Sequence, residues 1–549
     1  MHRPWNDFRA LLLAVVIALG ALALPAQAQI LETPREIAAV RLNIIDLLAN
    51  EQGLPLPIKQ RREALRAYYE GANGDLLWLN SSRSGQFLAR LADAEADGLS
   101  SADYPGAQLA RLLDVAPSTD ERSLGIIELF FSAALLEYVS DLSVGRFLPG
   151  KVDPNFFIQV RSIDTVGALQ ALQALEERQD VNAYLDEWAP PDPEYGALRT
   201  ALAQYRDMEA RGGWGMVPLG DVLKPGMSDA RIPALRARLA VTDAAEPAIG
   251  DAEAYDDALV AAVERFQQRH GLEPDGAVGP ATLVALNVPV GERIRSIELA
   301  MERWRWMPRE LGARYVMVNI AGFDLKRVEG GAVAERMPVV VGKPYSRTPV
   351  FSDAIRYLEF NPYWTVPTGI AIKEELPKLV SNPSGLASQG FEAVAGGQSY
   401  DLRAIDWSRY GAGNFPFQLR QKPGANNALG RVKFMFPNSH DVYLHDTPSR
   451  SLFGRAERAF SHGCIRVSRP LELADAVLRD SGVAGWDGTR IDAVVGSDKN
   501  TVVTLSNPLP IHITYLTAWV EDGVVNFRKD IYEHDTKLVA ALDGKSIAW

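Results

Sequence analysis

Through residues 32–211 apolar side chains recur at helical spacing, Leu- and Ala-rich, as in IIELFFSAALLEYVSDL at residues 126–142. Turn pairs at Asn73-Gly74, Asp97-Gly98, Pro105-Gly106, Pro149-Gly150 and Pro190-Pro191 cut the stretch into several short helices. It holds no cluster of His, Cys and acidic residues at catalytic spacing, so it reads as a helical scaffold. Gly212-Gly213-Trp214-Gly215 and Lys224-Pro225-Gly226 mark a boundary. Beyond it lie two amphipathic segments, residues 232–239 and 256–270, the second with Leu259, Val263 and Phe266 on one helical face. Gly271 fits a helix stop, Pro274-Asp275-Gly276 a turn, and Pro280 the start of a third short helix ending near Leu286. Ile294, Ile297, Met301 and Trp304 then form a stripe that predicts a helix docked on the scaffold.

After Arg314 the period changes. YVMVNIAGFDLKRV and ERMPVVVGK alternate, are rich in Val and Ile, and enclose Gly330-Gly331, which predicts strands and a hairpin. Residues 378–427 are polar, rich in Gly, Asn and Ser, and without steady period; a loop of that length inside a compact domain reads as a lid or binding loop, the alternative being an inert insertion. A helix is predicted over 470–479, with strand-like pieces at 501–505 and 511–520 and a turn at Glu521-Asp522-Gly523. The expected division is a signal peptide at 1–28, helical scaffold 29–215, three-helix domain 216–290, linker helix 291–312, mainly β domain 313–500 with its lid, and a C-terminal β subdomain 501–549. The fold class is multidomain α+β.

Composition narrows the setting. The 549 residues are 47% hydrophobic and 23% charged, as expected of globular domains, with a net charge of −12. Arg3 and Arg9, an apolar run over 10–24, Pro25 and Ala26-Gln27-Ala28 have the layout of a secretory signal, with cleavage expected before Gln29. The alternative is an uncleaved anchor, the one expected contact with a membrane. Both put the rest of the chain outside the cytoplasm, in the periplasm, where the loss of Arg3, Arg9 and Asp7 would take the net charge from −12 to −13. Such acidity excludes nucleic acid as an expected partner. The oligomeric state is left open, a monomer being favoured.

Cys464 is the only cysteine. It cannot form an internal disulfide, and a free thiol in an oxidising compartment implies a task. It lies in SHGCIRV, with YLHD upstream. Tyr443, Leu444 and His445 read as a strand, so Tyr443 and His445 share a face. His445, nineteen positions before Cys464, can return as general base. Asp446 or a backbone carbonyl can orient its imidazole. Gly463 permits close approach of a carbonyl, and its amide and that of Cys464 are candidate oxyanion donors. Ser461, His462 and Arg466 make a polar, partly cationic setting expected to favour thiolate. His462, Ser461, Tyr443 and Arg466 are candidate substrate contacts, Arg466 for a carboxylate or else in a structural ion pair; His440, in a Pro-Asn-Ser-His-Asp turn, is expected at the surface. The spacings fit no zinc motif, and no metal or cofactor is expected.

FQLRQKPGANNALGRVKFMFPN, VYLHDTP and SHGCIRV together resemble the YkuD-fold L,D-transpeptidases of the bacterial cell wall, and the whole layout resembles their large YcbB-type members. AVERFQQRHGLEPDGAVGPATLVALN resembles the small peptidoglycan-binding modules found beside wall enzymes, which here either binds or only packs. The resemblance implies that Cys464 attacks the carbonyl of the third residue, diaminopimelate, of a peptidoglycan tetrapeptide stem. D-Ala leaves, a thioester forms, and a second diaminopimelate amine resolves it into a 3→3 cross-link that serves wall biogenesis and cell shape. It also implies acylation of Cys464 by carbapenems. Two alternatives stay open: an L,D-carboxypeptidase, with water as acceptor, and a non-catalytic peptidoglycan-binding protein.

Overall fold

The computed structural model describes residues 30–544 apart from 32, 51–53, 72–73, 80, 176–179 and 249. The expected signal segment and its expected cleavage point lie outside these residues.

The N-terminal region is built around the helix Glu121–Val144, which is apolar on nearly every side and therefore central. It is the one helix among the described residues long and apolar enough to cross a membrane, and 78% of its apolar window is buried in the protein. Asp120 starts it by accepting the Ser123 amide. Its one fully buried acid, Glu128, is satisfied by the amides of Leu77, Trp78 and Leu79 and by the Tyr69 hydroxyl. The loop 77–79 is thereby fastened to the core helix.

The three-helix unit comprises Ile232–Thr242, Asp257–Arg269 and Pro280–Leu286, and Leu259, Val263 and Phe266 face its core as their spacing predicts. Next comes the helix Val290–Trp306. Ile294, Ile297, Met301 and Trp304 enter the scaffold core, whereas Leu299 and Trp306 enter the core of the following sheet. One helix thus joins the two bodies through opposite faces.

The strands run β1 (Arg314–Asn319), β2 (Asp324–Glu329), β3 (Ala332–Gly342), β4 (Phe351–Phe360), β5 (Trp364–Thr365), β6 (Phe391–Ala395), β7 (Gln398–Tyr400) and β8 (Gln418–Gln421). They continue as β9 (Val432–Met435), β10 (Leu444–His445), β11 (Ala459–Ser461), β12 (Ile465–Val467), β13 (Thr501–Thr514), β14 (Ala518–Glu521) and β15 (Val524–Phe527). Nine form one sheet in the order β11-β3-β12-β10-β9-β4-β13-β1-β2, and a further β2–β3 pairing returns the sheet on itself. Two expectations change here. Residues 501–549 are not a separate β subdomain, because β13 lies between β4 and β1 in the middle of the sheet. It is a single strand whose register shifts between Thr504 and Leu509, which the sequence presents as two pieces. Only the β14–β15 hairpin leaves the sheet, and Ala518, Val525 and Phe527 pack it onto the scaffold core.

The second change concerns 378–427, which is a folded unit and not a loop. Short helices Leu376–Ser381 and Pro383–Ser388 and a sheet in the order β5-β8-β6-β7 enclose a core of Val366, Ala371, Leu379, Phe391, Trp407 and Leu419. Because Val366 and Ala371 belong to that core, the unit begins upstream of 378. Its entry, Ala371–Glu375, is a π-helical turn.

Candidate active site

The site is assembled by strand register. β10 runs parallel to β12, with Leu444 opposite Ile465 and His445 opposite Arg466, and antiparallel to β9, with His445 opposite Lys433. Side chains alternate across a strand, so Leu444 and Ile465 enter the core while Lys433, His445 and Arg466 share the other face. The Ile465 amide donates to the Tyr443 carbonyl at 3.1 Å, so the pairing extends to Tyr443 and Cys464, on that same face. Asn438 fixes the approach to β10, donating to the carbonyls of Phe436 (2.6 Å) and Val442 (2.8 Å) and accepting the His440 amide (2.9 Å).

His445 is buried, 4% exposed, and its Nδ1 lies 2.5 Å from the Asp446 carbonyl oxygen. That contact assigns the proton to Nδ1 and leaves Nε2 as the basic nitrogen. Burial first, then the Arg466 and Lys433 cations, lowers the imidazole to about 3, against the raising effect of the Asp446 carbonyl. The Asp446 carboxylate is not the orienter. It accepts from the amides of Thr447 (2.6 Å) and Arg431 (2.8 Å) and from Arg450 (2.6 Å). Asp446 therefore orients His445 through its backbone while its side chain pins the strand ends. Gly430, with φ +61, leaves room for that carboxylate, since a Cβ there would lie 2.3 Å from Asp446 Cγ.

Cys464 is half-buried and free. Its thiol is raised by burial, and the opposing influences are the amide and hydroxyl donors of Tyr443 and the cations of Lys433 and Arg466. The cationic setting expected from the sequence is present, but desolvation outweighs it, and the resting pair is thiol and neutral imidazole. Burial, then the neighbouring thiol, raises the Tyr443 phenol, so it stays a donor. The Tyr443 and His445 rings are 5.6 Å apart, and Lys433 Nζ sits 4.4 Å over the Tyr443 ring.

Two further residues, Ser461 and Gly463, depart from expectation. Ser461 is buried and its hydroxyl is engaged inside the loop, donating to the Cys464 carbonyl (2.5 Å) and accepting the Gly463 amide (3.1 Å), so it shapes the turn. That bond occupies the Gly463 amide, which is therefore not a free oxyanion donor; among the described residues the Cys464 amide has no acceptor. Gly463, at φ +120, adopts backbone that favours glycine. His440 is partly exposed, and its ring packs at a tilt against Phe157 (4.0 Å) and Phe351 (5.2 Å).

His462 Nε2 lies 2.6 Å from Glu374 Oε1, on the π-helical turn that leads into the 378–427 unit. Arg466 forms no ion pair among the described residues, and its buried Nε has no partner. Among the described residues the structural salt bridge considered for it is absent, and its cation acts on the neighbouring thiol. Sequence reasoning missed Lys433 and Glu374. Lys433 could have been found by extending the strand parity to β9; Glu374 has no local signal. Among the described residues no three His, Cys, Asp or Glu side chains gather as a metal site.

Residues 313–503 match the YkuD family, "L,D-transpeptidase catalytic domain". Residues 63–202 match a "Scaffold domain" and 237–286 a "Putative peptidoglycan binding domain". A curated relative from Haemophilus influenzae, named "Putative L,D-transpeptidase", is 34% identical over 224 residues, 41% of this chain and 45% of the relative. The chain thus matches less than half the length of that relative. Solved neighbours include an L,D-transpeptidase from Xylanimonas cellulosilytica, 16% identical over 54% of this chain and 98% of its own, at a TM-score of 0.18. Another, from Mycobacterium smegmatis, is 15% identical over 37% of this chain and 58% of its own, at 0.19. At such scores the neighbours carry no argument. The chain carries a YkuD-type L,D-transpeptidase catalytic domain with a peptidoglycan-binding-type domain beside it.

Proposed function

Taking the L,D-transpeptidase catalytic domain as premise, we propose that this chain forms 3→3 cross-links between peptidoglycan stem peptides through a Cys464 thioester, in the periplasm. The observation that carries the reading is the shared face of Tyr443, His445, Cys464 and Arg466, with His445 Nδ1 committed to the Asp446 carbonyl. In the first half-reaction the Cys464 sulfur bonds to the diaminopimelate carbonyl carbon as its proton passes to His445 Nε2. The C–N bond to D-Ala then breaks, and the same proton leaves on the D-Ala amine. In the second half-reaction the acceptor amine attacks the thioester, gives its proton to Nε2, and the sulfur departs and is reprotonated. Arg466 holds a stem carboxylate, and its unpaired guanidinium supports that role. The lid, joined to the nucleophile loop through Glu374 and His462, excludes water that would hydrolyse the thioester. A β-lactam of the carbapenem class would acylate the same sulfur.

The test is incubation of the exported protein and a Cys464→Ala variant with disaccharide-tetrapeptide, read by mass. A cross-linked dimer lacking one D-Ala, formed only by the wild type, is expected. Tripeptide alone would make the protein an L,D-carboxypeptidase, and unchanged substrate with both proteins would sink both enzymatic readings.

A further inference from the structure

The Gly463–Cys464 peptide is gripped from behind. Thr348, fully buried, donates its hydroxyl to the Gly463 carbonyl at 2.7 Å and accepts the Gly342 amide at 3.0 Å, so its hydrogen-bonding capacity is directed. Tyr532 holds this strap in turn, its hydroxyl donating to the Gly342 carbonyl and accepting the Thr348 amide at 3.3 Å. Tyr515 continues the chain, accepting the Tyr532 amide at 3.0 Å and donating to Asp530 at 2.6 Å. Neither Thr348 nor Tyr532 touches the face that carries the thiol chemistry by any of these bonds.

A trans peptide is planar, so its carbonyl and its N–H point in opposite directions. Anchoring the Gly463 oxygen to Thr348 therefore aims the Cys464 N–H away from Thr348, on the opposite side of the same peptide. Among the described residues that N–H is the donor left without a partner, since the Gly463 amide is taken by Ser461. Ser461 also fixes the next carbonyl, of Cys464. The peptide between the two clamps can hardly rotate without breaking one of them, which is the preorganisation an oxyanion donor needs.

We infer that Thr348 is a positioning residue that sets the direction of the oxyanion donor at Cys464, acting through the Gly463–Cys464 peptide. The inference rests on the proposed thiol acyl transfer and deepens it. It separates two reactions of one sulfur. Acylation builds negative charge on a carbonyl oxygen and needs the donor; alkylation by iodoacetamide displaces iodide from a saturated carbon and does not.

The full chain, Thr348→Val, Thr348→Ser and Tyr532→Phe are compared for alkylation by iodoacetamide and for acetylation of Cys464 by p-nitrophenyl acetate, followed by mass, with thermal melts alongside. Expected for Thr348→Val is alkylation within about threefold of wild type and acetylation slowed about ten- to hundredfold, less than the roughly hundred- to thousandfold that outright loss of one donor costs. Thr348→Ser, which keeps the hydroxyl, restores acetylation. Tyr532→Phe, which leaves the Thr348 hydroxyl in place, shows the same split to a lesser degree and serves if Thr348→Val does not fold. Equal losses in both reactions, unchanged acetylation, or a wild type that alkylates but does not acetylate would overturn the inference. A wild type that acetylates with the predicted split yet gives no product from tetrapeptide would instead refute the transpeptidase reading and leave Thr348 in its role.

Discussion

The neutral resting pair at Cys464 and His445 has a consequence that kinetics can read directly. In a preformed thiolate–imidazolium pair the sulfur is reactive at all pH values between the two titrations, and alkylation is flat across neutral pH. Here burial holds the imidazole at about 3, below its usual 6.5, and holds the thiol above its usual 9.0. Roughly 1% or less of the sulfur is then thiolate at pH 7. Iodoacetamide alkylation is expected to rise about tenfold per pH unit from 6 to 9, with no plateau and no inflection near 6.5. The variant His445→Ala should alkylate within about threefold of wild type, because no resting ion pair is lost, while its acylation falls by about two to four orders of magnitude as the general base is removed. The same shift appears in stability. Between pH 3 and 6.5 the unfolded chain binds a proton at His445 that the folded chain refuses, so stability falls as pH falls through that window. The full effect is on the order of several kcal/mol, since a tenfold change in proton affinity is worth about 1.4 kcal/mol. An alkylation plateau below pH 8, or a tenfold slower alkylation in His445→Ala, would refute the neutral pair and put a resting thiolate in its place.

Two further outcomes follow from named contacts. The His462–Glu374 bond joins groups whose side chains are 34% and 46% exposed, so it should hold the lid by only about 0.5 kcal/mol. Glu374→Ala is therefore expected to raise the ratio of hydrolysed to cross-linked product about twofold, measured by mass, and an unchanged ratio would show that the contact does not hold the lid. In the scaffold, Glu128→Leu strands the buried amides of Leu77, Trp78 and Leu79 and should cost about 3 kcal/mol or more by thermal or denaturant unfolding. Burial raises the Glu128 carboxyl to about 7 from its usual 4.5, so the folded chain keeps a proton that the unfolded chain releases, and wild-type stability should fall relative to Glu128→Gln as pH rises from 4.5 to 7. A difference that stays flat across that window would show that Glu128 is ionised throughout.

What was legible in the sequence is what alternation and spacing encode. The shared face of Tyr443 and His445 follows from a period of two, and the core positions Leu259, Val263 and Phe266 from a period near 3.6. The fold of the 378–427 unit hid because its core is assembled from short pieces, with Phe391, Trp407 and Leu419 each on a different element, so no window shows a period. β13 hid for a related reason: Ser506, Asn507 and Pro508 fall where its register shifts, and a proline there reads as an end although the strand continues. At Asp446 the sequence named the residue but left open side chain or carbonyl, a choice that depends on Arg431 and Arg450 competing for the carboxylate. Thr348 carried no signal at all. Its partner carbonyl lies 115 positions away, and a threonine between Arg347 and Pro349 looks like any turn residue. The attacking groups come from strands whose side-chain parity a sequence displays, whereas the groups that aim them act through backbone atoms, which every residue possesses. Local sequence can therefore nominate a nucleophile and its base, but the donor that stabilises the oxyanion becomes assignable only once every competing acceptor around that peptide has been placed.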